Sequence, residues 1–560
     1  MKSLTTKTGL LLLAACSLIS ACSDHNANAQ TEAGNGKVKN VILMIGDGMG
    51  VQQIGMLEEY AQRAPNSSYN AKGNETGLQK FAKAGHLGLS LTAPMGADGN
   101  LVTDSACSAS QLASGVAAGS EMIGLDHQGN AVETILEKAK KMGKATGLIS
   151  DTRITHATPA AFAAHQPHRS YEAEIAVELI ESGNVDVLLS GGARYFVPSD
   201  IKSNTQAREA LKVLGAGEHL YKKSKRKDNR NLITEAQDKY GFALAFDKTQ
   251  LAAAQTQTKN PQVSNKLLGL FANSLMDDGI MYSACKKTNT CTQPSLKEMT
   301  IKALDILSQD PDGFFLMIEG GQIDWAGHIN DAGWLLHELI KFDEAITAVY
   351  DWVKDRNDTL VVITADHETG GFGFSYTRKD LPASKTLTGK GMQGRDYRPD
   401  YNFASISNLD KLHAQTASYY TMMSEVNSDW DFSNTNGAQW AKVINAHVHK
   451  DFQLTEQQAQ PITKREPNEY YEAKHKYLSA KTFPVINDFK EFYVYGDDLH
   501  GNLIARALAA EQNVIWGTGT HTASPVAVYA FGPKEISSQF STLQRHVDVS
   551  KKMMDAFIVQ

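Results

Sequence analysis

Carboxylates and histidines in this 560-residue chain gather at a few points, each directly after a short apolar run. The run at 41–45 ends in Gly46, Asp47, Gly48, Met49 and Gly50; that at 314–318 ends in Glu319, Gly320 and Gly321; that at 360–363 ends in Thr364, Ala365, Asp366, His367 and Glu368. Asp324 and His328 are four residues apart, a spacing that lets both face one ion on a helix or turn, and nitrogen with oxygen donors suits zinc. Asp366 and His367 are adjacent and would diverge on regular structure, but the loop marked by Gly370 and Gly371 lets them converge. A further histidine, His521, lies just before the apolar run 526–531. Each carboxylate alone serves equally well as a helix cap or turn residue. Its recurrence after three apolar runs, with two Asp and His pairs, points to metal chemistry instead.

The nucleophile candidate is Ser105, in Asp104, Ser105, Ala106, Cys107, Ser108, followed by small residues through Gly119. Such a run suits the start of a tightly packed helix, whose first amides hold an anion. Without metals nearby it reads as a helix cap with small-residue packing; near metals a serine needs no histidine base. A last segment runs from His156 through Thr158 and Pro159 to His165, His168 and Arg169. Arg169 suits bidentate binding of two phosphate oxygens, a task that the point charge of lysine does less well.

These residues need a scaffold that brings the ends of the apolar runs together. The runs at 41–45, 145–149, 185–189, 314–318, 360–363 and 526–531 are unbroken and rich in β-branched residues, as strands buried on both faces of a parallel sheet are. Helical patterns at 131–141, 171–181, 296–307 and 333–354 alternate with them. The expected fold is α/β, a three-layer αβα sandwich around a mostly parallel central sheet, and ligands in such sheets bind beyond the carboxyl ends of the strands. The rhythm fades over 374–510, where Tyr, Asn, Asp, Lys and Gln accumulate. We expect a catalytic α/β domain formed by 37–373 and 511–560, interrupted by an irregular inserted subdomain. The basic run 222–230 reads as a solvated loop.

Composition is globular, 42% hydrophobic and 21% charged, and the net charge of -7 offers no basic excess for a nucleic-acid partner. Residues 1–29 have the layout of a signal peptide, Lys2 and Lys7 ahead of a short apolar stretch, so the chain is expected to be exported to the periplasm. The leader fits cleavage at Ala27, Asn28 and Ala29 and also a lipobox ending at Cys22 (Leu13 to Cys16 reads similarly), which would add a lipid anchor. No later run is long and apolar enough to span a bilayer. Cys285 and Cys291 bracket a polar loop suited to a disulfide in an oxidising compartment, and Cys107 reads as a small buried side chain.

Taken in order, these separated motifs resemble the alkaline phosphatase family over roughly 37–373 and 516–533. The resemblance implies hydrolysis of phosphate monoesters through a covalent phosphoserine at Ser105, with Arg169 binding phosphate. It implies one zinc on Asp324, His328 and His521, a second on Asp47, Asp366 and His367, and magnesium on Asp47, Thr158 and Glu319. A homodimer is implied in the same way. Two positions depart from the best-known bacterial pattern: His156 stands in place of an aspartate and Trp325 in place of a lysine. The first bears on the identity of the third ion, and the second removes a positive charge near phosphate, an effect expected to speed product release.

Competing readings make different demands. A phosphodiesterase or nucleotide pyrophosphatase on the same scaffold has fewer free oxygens for Arg169 to hold. A sulfatase needs a Cys/Ser-x-Pro-x-Arg context, which neither Ser105 nor Cys107 has. An exported zinc- or phosphate-binding protein without activity would tolerate loss of Ser105.

Overall fold

The computed structural model describes residues 37–94, 99–254 and 265–557. The leader, with its cleavage site and Cys22, lies outside the described residues.

Ten strands form the central sheet: β1 (Asn40–Gly46), β2 (His86–Leu91), β3 (Ala145–Arg153), β4 (Val187–Gly191), β5 (Ala243–Ala245), β6 (Leu267–Leu270), β7 (Phe314–Gly320), β8 (Thr359–Thr364), β9 (Val526–Phe531) and β10 (Leu543–Arg545). Their order is β10-β2-β9-β8-β1-β7-β3-β4-β6-β5. Every pairing from β8 through β1, β7, β3, β4 and β6 to β5 is parallel, while β9 runs antiparallel to both β8 and β2.

Alternate residues of the central strands feed two separate cores. Ile42 and Met44 of β1, Leu316 and Ile318 of β7, and Val361 and Ile363 of β8 join one cluster. Val41, Leu43, Phe315, Met317, Leu360 and Val362 join the other. A sheet covered by helices on both faces produces this split, and it is why these strands read as continuous apolar runs. The first core is packed by helices α1 (Val51–Arg63), α4 (Leu296–Leu307) and α6 (Ala332–Val353). Of the expected helices, 296–307 matches α4 to the residue and 333–354 differs from α6 by one at each end. The pattern at 131–141 begins late, at Ile135, where Thr134 and Glu137 form a capping box.

Four strands of the sheet went unread, β2, β5, β6 and β10, of which β5 and β6 are only three and four residues long. His86–Leu91 alternates exposed and covered residues around Gly88, and Leu543–Arg545 is short; neither has the apolar continuity of a strand buried on both faces. Within 374–510, where the rhythm fades, helices still occur, among them Tyr419–Val426 and Gly437–His447, followed by α7 (Leu499–Gln512). Tyr419, Trp440, Ile444 and Leu508 join the first core. Gly373 and Phe374 pair antiparallel with Ile515 and Val514, so the two ends of the stretch lie side by side. Cys285 and Cys291 are joined by a disulfide. Cys107 is a buried thiol, its pKa pushed up to about 12 by burial. No helix among the described residues is long and apolar enough to cross a membrane.

Candidate active site

The adjacent strands β8, β1, β7 and β3 converge on one point at their carboxyl ends. Asp47 follows β1, Glu319 closes β7, Asp366 and His367 follow β8, and Ser150 and Thr152 end β3. All six side chains are buried. Helix α5 (Gln322–His328) starts directly after β7 and carries Asp324 and His328 one turn apart. Gly48 has φ +74°, and a Cβ there would stand 2.8 Å from Asp324 Cα, so β1 and α5 approach this closely only because residue 48 lacks a side chain.

Asp324 lies between two histidines, with Oδ2 3.2 Å from His328 Nε2 and Oδ1 3.5 Å from His521 Nε2. The other ring nitrogens are occupied: His328 Nδ1 donates to the Gly519 carbonyl at 2.8 Å and His521 Nδ1 to the Thr103 carbonyl at 2.9 Å. Those bonds aim both Nε2 atoms inward, where they lie 3.1 Å apart. His521 is held in turn by pairing with Thr369 across a two-residue ladder, and its ring stacks on His367 at 3.5 Å.

His367 Nε2 lies 3.2 Å from Asp366 Oδ2, 3.5 Å from Asp47 Oδ1 and 3.1 Å from Ser105 Oγ. Ser105 is the first residue of helix α2 (Ser105–Ser114), capped by Asp104, which accepts from the amides of Ala106 and Cys107. Asp104 also accepts from Arg169 Nη1 at 3.3 Å, while Arg169 Nη2 donates to His156 Nε2 at 3.1 Å. Thr158 Oγ1 donates to Asp47 Oδ2 at 3.2 Å. Trp325 stands between His156, 6.0 Å away, and the Arg153 guanidinium, 5.7 Å away.

The cluster brings together Ser105, Arg169, Asp47, His156, Thr158, Glu319, Asp324, Trp325, His328, Asp366, His367 and His521, whereas His165 bonds the Gly124 carbonyl and Glu137, and the exposed His168 bonds Ser170 and Glu121. The grouping differs in detail. Three sets have candidate ligand atoms within 4.8 Å of one another: Asp324, His328 and His521; Asp47, Asp324 and His367; and Asp47, His156 and Glu319. Asp324 thus reaches two sets, and His156 joins the carboxylates beside Thr158. Sequence reasoning missed Thr369, whose Oγ1 donates to Asp324 Oδ1 at 2.5 Å, and Ser150, which donates to Glu319. A threonine two residues after His367 carries no signal of its own.

Electrostatics mark the cluster as built for cations. Burial, then Asp366, Asp324 and Glu319, push the Asp47 carboxyl well above its ordinary range. Burial raises Glu319 to about 8 and, with Asp324, Asp366 to about 6. Burial also opposes ionisation of Asp324, yet His328 and His521 outweigh it and hold that group low. Burial, Arg169 and Arg153 keep His156 neutral well below the ordinary histidine range. Asp47 Oδ1 and Glu319 Oε1 are buried and accept no hydrogen bond from the described residues. Four crowded carboxylates, two of them with an orphaned oxygen, beside buried imidazoles fit divalent metal ions.

A family model described as alkaline phosphatase matches residues 38–476. Alkaline phosphatase 4 of Bacillus subtilis is 36% identical over 378 residues, 65% of this chain and 70% of that protein. Alkaline phosphatase 3 of the same organism is 31% identical over 545 residues, 95% of this chain and 92% of that protein. The crystal structure of Thermus thermophilus alkaline phosphatase superimposes with a TM-score of 0.67 at 23% identity, over 93% of this chain and 91% of that one, a likeness of fold.

Proposed function

Since the chain belongs to the alkaline phosphatase family, and so is a phosphoric monoester hydrolase, we propose that it works through a covalent phosphoserine at Ser105. The observation that carries this reading is the 3.1 Å approach of Ser105 Oγ to His367 Nε2 at the start of a helix, among three sets of candidate ligands.

In the first half-reaction the Ser105 oxygen forms a bond to phosphorus while the ester oxygen leaves with its electron pair and takes a proton, giving the alcohol. In the second, water attacks the phosphoserine and displaces Ser105, giving inorganic phosphate. Arg169 holds two non-bridging oxygens through its paired N–H groups, and Asp104 and His156 fix its orientation. Ser105 sits at the N-terminus of α2, where the helix dipole favours negative charge on the phosphoryl group.

Asp324, His328 and His521 would hold one zinc ion, Asp47, Asp366 and His367 a second, and Asp47, Thr158 and Glu319 a magnesium ion. Bound there, such ions supply Lewis acidity that favours the deprotonated hydroxyl and offsets charge on phosphoryl oxygens. We read 37–373 and 511–560 as the catalytic domain and 374–510 as an insertion, supported by the pairing of Gly373 and Phe374 with Ile515 and Val514. Export, attachment through Cys22 and assembly as a homodimer belong to the same reading.

The test is hydrolysis of a chromogenic phosphate monoester and its matching diester at mildly alkaline pH, with and without a chelator. The expected result is monoester preference, lost on chelation and restored by zinc and magnesium. Ser105→Ala should lose more than about a thousandfold in turnover with its metal content unchanged. Diester preference, or turnover surviving Ser105→Ala, would overturn the reading.

A further inference from the structure

The candidate ligand His328 is touched from outside the catalytic strands. Tyr495 meets its ring edge-on at a centroid distance of 4.9 Å, and Tyr477 in turn meets Tyr495 edge-on at 5.0 Å. Both tyrosines come from the stretch where the strand and helix rhythm fades, and both lie beyond residues 38–476, which the family model matches.

Tyr495 is firmly placed. Its carbonyl accepts from the amide of Asp498, which precedes α7, and Asp498 accepts from the Tyr420 hydroxyl at 2.6 Å. Three residues before Tyr495, the Phe492 carbonyl accepts from Gly519 N and from Thr518 Oγ1, the segment whose Gly519 carbonyl orients His328. Asn502, on α7, donates to the His328 carbonyl at 2.8 Å. The ring and the candidate ligand therefore share one frame. Tyr495 is only half-buried.

We propose that Tyr495, backed by Tyr477, is a specificity-determining wall for the alcohol portion of the substrate, favouring phosphate monoesters with an aromatic leaving group. This rests on the reading above, in which the phosphoryl group sits between Ser105 and Arg169. With those two contacts fixed, the ester oxygen points away from Ser105, toward the side bounded by Asp324, His328 and Tyr495. An aryl group there meets a ring held by other rings, the arrangement in which edge-to-face contact adds affinity beyond burial of area.

The experiment compares kcat/KM for phenyl phosphate and for methyl phosphate in the metal-loaded wild-type protein, Tyr495→Phe, Tyr495→Leu and Tyr495→Ala. Expected are a loss of about fivefold on phenyl phosphate in the Leu and Ala variants, less than about twofold on methyl phosphate, and near wild-type values for the Phe variant. Equal losses on both substrates would overturn the proposal and reduce Tyr495 to a support for His328. Wild-type protein inactive on both would instead bring down the phosphomonoester reading itself. Zinc content of each variant, read by atomic emission, separates either result from loss of the metal site.

Discussion

Lys341 places its ammonium 3.1 Å from Asp151 Oδ2, deep in the protein, with side-chain exposures of 4% and 3%. The same nitrogen pairs with Glu338 at 2.5 Å. Asp151 Oδ1 accepts from the amide of Gly321, two residues past Glu319, at 2.8 Å, so the ion pair braces the turn that ends β7 in the active site. Removing one member strands a buried charge. Lys341→Met should lower unfolding free energy by about 3–5 kcal/mol, and adding Asp151→Asn should recover much of that loss. Denaturant unfolding of the single and double variants checks both; a double variant no more stable than Lys341→Met would mean that the lysine acts through Glu338 alone.

Arg169 is held from two sides, by Asp104 at 3.3 Å and His156 at 3.1 Å, which fixes the plane of its guanidinium. Lysine keeps the charge but loses the planar pair of donors. Arg169→Lys should reduce kcat/KM for a monoester by about 10- to 100-fold, the worth of one charge-assisted hydrogen bond. A matching diester, with fewer free oxygens, should lose less. Inhibition by inorganic phosphate should weaken in parallel, and steady-state kinetics on both esters measure all three.

Much of this site was legible because the strands that build it are buried on both faces. Each showed as an unbroken apolar run, and Asp47, Glu319 and Asp366 stood directly after the runs, where strands of a parallel sheet present side chains to a ligand. What stayed hidden depends on contacts between distant segments. Lys341 looks like a surface lysine on an amphipathic helix until α6 is laid against β3, and only then does Asp151 become its partner. Ser150, Thr152 and Thr369 are small hydroxyl residues with no spacing rule. Tyr495 lies in a stretch without periodicity, so nothing local tied it to His328. The split of ligands among ions was likewise beyond spacing, because Asp324 and Asp47 each reach two sets.

Chelation should change how stability depends on pH. Glu319 is raised to about 8, chiefly by burial, and His328 to about 9, because Asp324 outweighs burial. Above about pH 7 the unfolded chain has lost both protons, whereas the folded, chelated protein still holds them. More protons on the folded side means that stability falls as pH rises, through about 8 for Glu319 and about 9 for His328. Ions held by these residues would take the place of those protons, so the loaded protein should have a flatter profile. Thermal unfolding at a series of pH values between about 7 and about 9, with chelator and with zinc and magnesium, measures the difference. A profile that is the same in both conditions would mean that the ions bind elsewhere.

His156 sets up the most specific metal prediction. Its Nε2 accepts from Arg169, and its Nδ1 is buried without a hydrogen-bond partner among the described residues. It belongs to the set with Asp47 and Glu319, which otherwise offers carboxylate oxygens and the Thr158 hydroxyl. A neutral imidazole there favours a softer ion, whereas a third carboxylate would supply the all-oxygen environment and the negative charge that magnesium prefers. His156→Asp should therefore lower the magnesium concentration for half-maximal reactivation of chelated protein by about tenfold, the worth of one added ligand interaction of about 1.4 kcal/mol. It should also raise magnesium retained after gel filtration, a readout independent of turnover. The aspartate would keep a partner for Arg169, and a charged one, so the arginine should be held more tightly and the affinity for phosphate should shift with it. Unchanged magnesium retention in His156→Asp would show that Asp47, Glu319 and Thr158 bind the third ion without help from position 156.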